Sequence, residues 1–79
     1  MNNLEKYNQA FIEAFNVEED QLNEELVFQS IPEWDSVGHM NLIAAIEDAF
    51  DIMFDTDDIV DFSSYEKGRE LLKKYDVEV

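Results

Sequence analysis

A chain of 79 residues with 20 Asp and Glu against 5 Lys and Arg carries a formal net charge of −15. Such a surface repels nucleic acid and anionic lipid and steers proteins with basic patches toward it. No cysteine and a single histidine, His39, leave neither a disulfide framework nor a zinc site to build, while 46% hydrophobic and 13% aromatic residues exclude a disordered acidic chain and put the fold on apolar packing alone.

The N-terminus, MNNLEKYNQA, has no basic region followed by an apolar run, so no signal peptide is expected. A first helix is predicted to start after Asn2 or Asn3, either a good N-cap, and to run to about Phe15. Leu4, Tyr7, Phe11 and Phe15 then share one face. From Asn16 to Asp35 no period holds among Val17, Leu22, Leu26, Phe28 and Ile31. A loop that long in a small domain is usually functional or hides an element, and a helical turn within Glu19 to Glu25 fits. Pro32 stops any helix before it.

The second helix is predicted from Ser36. Val37, Met40, Ile43, Ile46, Ala49 and Phe50 form its stripe, Leu42 and Ala45 widen it, and Glu47, Asp48 and Asp51 are expected polar and exposed. A short third helix fits Thr56 to Asp61. The last helix is predicted to begin with Ser63 in a capping box with Glu66. Its stripe is Tyr65, Gly68, Leu72 and Tyr75, with Lys73 and Lys74 at the negative end of the helix dipole. The expected fold is all-α: one domain over residues 1–79, a small bundle of three main helices and one short helix, with a long loop between the first and second helices.

The longest apolar stretch, Leu42 to Ile46, is far shorter than a membrane span. A cytoplasmic protein without membrane or nucleic-acid partners is the expectation, monomeric because its charge is self-repelling. The charge is also uneven. Residues 1–66 hold seventeen acids against Lys6 alone, whereas residues 67–79 hold Lys67, Arg69, Lys73 and Lys74 against three acids.

Chemistry concentrates in Trp34-Asp35-Ser36-Val37-Gly38-His39-Met40 and the helix that follows, ending Phe50-Asp51-Ile52. A serine in the first turn of a helix lies beside backbone N–H groups that lack an intrahelical partner, a setting that favours a bound phosphate. A serine nucleophile needs an adjacent base. His39 follows by three residues, but no orienting partner or oxyanion donor accompanies it, so a Ser-His hydrolase is disfavoured. By itself Asp35-Ser36 would read as an ordinary helix cap.

Taken together, Asp35-Ser36-Val37, the aliphatic helix with late acids, Phe50-Asp51-Ile52, the size and the acidity resemble the acyl and peptidyl carrier proteins. The resemblance covers the whole chain, its long first loop included. It implies a non-enzymatic carrier with a 4'-phosphopantetheine arm on Ser36, delivered from coenzyme A by a phosphopantetheinyl transferase. The arm would carry acyl or aminoacyl thioesters from a loading ligase to a downstream transferase or synthase. By the same resemblance Asp35 engages the transferase and its magnesium, Glu47 and Asp48 serve partner recognition, and Val37 and Met40 add apolar contact near the serine. Part of the Met40, Ile43 and Ile46 row would face the cargo.

Gly38 and Asn41 stand where fatty-acid carriers commonly have acids, and Trp34 replaces a small residue. These departures point to a dedicated stand-alone carrier in a specialised pathway. The alternative is an acidic helical adaptor that binds proteins without a prosthetic group. Asp55, Asp57 and Asp58 are a poor calcium loop, because Val60 stands where an EF-hand needs glycine. Trp34 is expected to pack the loop onto the bundle rather than to stack on a ligand.

Overall fold

The computed structural model describes residues 2–79 and places four α-helices among them: α1, Asn3–Phe15; α2, Ser36–Phe50; α3, Thr56–Asp61; α4, Tyr65–Lys73. No strand occurs among the described residues, so the all-α expectation holds. None of these helices is long and apolar enough to cross a membrane.

Asn2 caps α1, its side chain accepting the Glu5 N–H. Tyr7, Ala10, Phe11 and Phe15 form the buried face of α1, whereas Leu4, expected with them, is 40% exposed. Phe11 is the hub of the core. Its ring centroid lies 5.0 Å from that of Tyr7, 5.2 Å from Tyr65, 5.7 Å from Trp34 and 5.8 Å from Phe15, mostly edge to face, the geometry aromatic quadrupoles favour. Burial raises the Tyr7 hydroxyl pKa, and that hydroxyl donates to the Tyr65 carbonyl.

The long first loop is a packed segment. A 3₁₀ turn at Glu19–Gln21 supplies the expected helical turn in shorter form, and Val17, Leu26 and Trp34 are all buried. Leu26 to Phe28 runs beside Ser63 to Tyr65: the Phe28 N–H donates to the Ser63 carbonyl at 2.8 Å and the Tyr65 N–H to the Leu26 carbonyl at 2.9 Å. This pairing corrects the predicted start of α4. The loop holds the Ser63 carbonyl, and the cap falls on the extended Ser64, whose hydroxyl accepts the Lys67 N–H at 2.9 Å. There is no capping box with Glu66, which instead pairs with Arg69 at 3.4 Å.

Gly68 faces the core from α4, where a Cβ would strike the Phe62 ring and the Tyr7 hydroxyl. Between α3 and the end of α4, the buried Asp58 carboxylate accepts from Lys74 Nζ at 2.7 Å and from the Tyr75 hydroxyl. Those hydrogen bonds, Lys74 first, hold Asp58 below the usual carboxylate range despite its desolvation, while the same contacts raise Lys74 and Tyr75. Both Asp58 oxygens are thus engaged within the fold, one on Lys74 and one on Tyr75.

Candidate functional site

Asp35 lies just before α2 in extended conformation, and its Oδ1 accepts the Gly38 N–H at 2.8 Å. The His39 N–H reaches the Asp35 carbonyl at 2.8 Å. Ser36 therefore occupies the first helical position, exposed, with the N–H groups of Ser36 and Val37 having no acceptor inside the helix. The cap depends on Gly38, because a Cβ there would collide with the Glu33 carbonyl. The glycine that stands where fatty-acid carriers commonly have an acid is what lets the loop carbonyl close onto the first turn of α2.

Beside Ser36 opens a cleft of about 370 Å³, within the range of small-molecule sites. Met40 from α2, Ile59 and Val60 from α3, and Phe28 and Phe62 make its apolar walls, with His39 and Ser63 beside them. No Asp, Glu, Lys or Arg lines it.

His39 is fully engaged. The indole Nε1–H of the buried Trp34 donates to His39 Nδ1 at 3.0 Å, and His39 Nε2 lies 2.8 Å from the Ile59 carbonyl. Because an indole can only donate, Nδ1 must be the acceptor, and the ring proton sits on Nε2 and is donated to Ile59. Neither nitrogen is left to take a proton from Ser36. The two rings lie within 14° of parallel, and Trp34 packs on Phe11 and Phe15. Trp34 thus belongs to the core, as expected, and its polar edge also orients His39, a pairing that sequence reasoning missed.

The residues expected to meet partners separate into two groups. Asp35, Ser36, Val37 and Met40 gather at the start of α2, with Val37 70% and Met40 54% exposed. Val60, 74% exposed, stands on the cleft wall. Glu47 and Asp48 lie near the other end of the helix. Asp48 is exposed as expected, but Glu47 is half-buried, its Oε2 accepting the Phe54 N–H at 2.8 Å; it ties down the segment between α2 and α3. Ser36 to Ala45 contains no Asp, Glu, Lys or Arg, so beyond the capping Asp35 the first turns of α2 carry no acidic or basic side chain. Of the Met40, Ile43 and Ile46 row, only Met40 reaches the cleft, whereas Ile43 and Ile46 are buried. A scan against protein-family models finds no match for this chain, and a search of curated proteins likewise finds none.

Proposed function

We propose that the protein is an acyl carrier that holds acyl groups as thioesters on a 4'-phosphopantetheine arm attached to Ser36. One observation carries the reading: an exposed serine at the first position of a capped helix, with no base on its hydroxyl, next to an apolar cleft. The residues fit the arm. The free N–H groups of Ser36 and Val37 and the positive end of α2 suit a phosphodiester, and the cleft beside them suits an uncharged chain. When attached, the arm supplies the thiol that forms the thioester. This chain contributes the hydroxyl, the anion-friendly helix start and the apolar shelter.

Since His39 is occupied on both nitrogens, the Ser36 proton must leave to a base on another protein. Ser36 is therefore a substrate of a phosphopantetheinyl transferase before it is a carrier. The spare oxygen of Asp35 is available to that encounter, its partner spent on Gly38. Val37, Met40 and Val60 favour a loading ligase and a downstream synthase that dock through apolar contact, with the acidic surface steering the approach. Incubation with coenzyme A and a broad-specificity transferase is expected to add the mass of one arm to the wild type and none to Ser36→Ala. A protein that gains nothing, or a variant that gains as much, refutes the proposal and favours an acidic adaptor acting without a prosthetic group.

A further inference from the structure

Three segments frame the cleft, and His39 joins them. Its backbone belongs to α2, its Nδ1 accepts from Trp34 of the first loop, and its Nε2–H donates to the Ile59 carbonyl of α3. α3 has six residues, too few to be stable alone, so its position depends on what holds it. On one side Asp58 bonds Lys74 and Tyr75, and the Asp55 N–H donates to the Tyr75 hydroxyl at 3.0 Å. Facing α2, His39 makes the polar bond, and it falls on the residue whose side chain, with that of Val60, walls the cleft. Trp34, wholly buried among Phe11, Phe15 and Phe62, prevents the imidazole from turning away.

We propose that His39, oriented by Trp34, is a positioning residue that fixes α3 against α2 and so sets the length of acyl chain the cleft can shelter. The inference rests on the carrier reading above. With both ring nitrogens spent, His39 acts through α3 and not on the cargo. Without the bond, the Ile59 carbonyl loses its partner near the end of α3 and the wall is free to move outward.

The test loads wild type, His39→Ala and Trp34→Phe with octanoyl or hexadecanoyl arms from the corresponding acyl-coenzyme A, using a broad-specificity transferase and checking each product by intact mass. Hydroxylamine cleavage of the thioester then reports shelter. In the wild type the hexadecanoyl thioester, too long for the cleft, is expected to be cleaved about tenfold faster than the octanoyl one, the scale on which apolar pockets discriminate chain length. In His39→Ala that ratio moves toward one. Trp34→Phe, which keeps an aromatic side chain but removes the N–H donor together with part of the buried indole, moves it the same way and decides the matter if the alanine variant does not fold. A wild-type ratio near one, or variants that melt lower with an unchanged ratio, overturns the proposal. Failure of the wild type to accept any arm overturns the carrier reading instead.

Discussion

Ser36 is set apart by what surrounds it: among the described residues no side chain hydrogen-bonds its hydroxyl, and the nearby His39 is engaged on both nitrogens. Asp35 builds the start of the helix, and its replacement by alanine removes the acceptor for the Gly38 N–H. A lost cap of this kind costs about 1 kcal/mol, so Asp35→Ala is expected to melt a few degrees lower and still fold; an unchanged melting temperature contradicts the cap. Gly68 presents a sharper contest. Alanine in a helix interior gains up to about 1 kcal/mol over glycine, but here its Cβ meets the buried Phe62 ring and the Tyr7 hydroxyl, and overpacking of that kind costs about 1–3 kcal/mol. Gly68→Ala is therefore expected to destabilise in denaturant titration, and a stabilised variant would show that the core gives way easily. The sequence alone places Gly68 on the apolar stripe. Which ring presses on it is set by α3 and α1, remote in sequence.

The helices themselves were legible because the spacing of apolar residues is local: α1, α2 and α3 lie where that spacing puts them, with Asn2 and Asp35 capping the first two. The errors arise where a group outside the helix competes for one within or beside it. Ser63 has the chemistry of a cap, yet the loop at Phe28 claims its carbonyl and delays α4 to Tyr65. Glu47 sits at a polar position of the helix wheel, yet the Phe54 N–H draws it inward. The Trp34–His39 pair left no local sign beyond an aromatic residue in a loop and a histidine five residues on. α3 offers the element-scale prediction. Asp58 titrates below its ordinary 3.8 in the fold, so its contribution is present at neutral pH and is lost as the pH falls below about 4. Lys74, raised above 10.5, keeps its share below that value and loses it as the pH rises beyond. Asp58→Asn is expected to melt below the wild type at pH 7, with the gap closing toward pH 3. A gap of constant size across that range contradicts the role assigned to the ion pair.

At the scale of the whole molecule, a charge of −15 on 79 residues strains the compact state by self-repulsion, and salt screens that repulsion. The melting temperature is expected to rise as sodium chloride is added, whereas a fall would mean that pairs such as Lys74–Asp58 outweigh the excess of acids. The start of α2 adds an apolar element to this surface, with Val37, Met40 and Val60 exposed around the serine and its cleft. That contrast between an acidic body and an apolar collar suits a protein that partners approach by charge and grip by contact. The proposed attachment of an arm to Ser36 is tested most directly by the intact mass of the purified protein after incubation with coenzyme A and a broad-specificity phosphopantetheinyl transferase. One added arm is expected on the wild type and on His39→Ala, and none on Ser36→Ala. An unmodified wild type, or an arm that persists in Ser36→Ala, would contradict it.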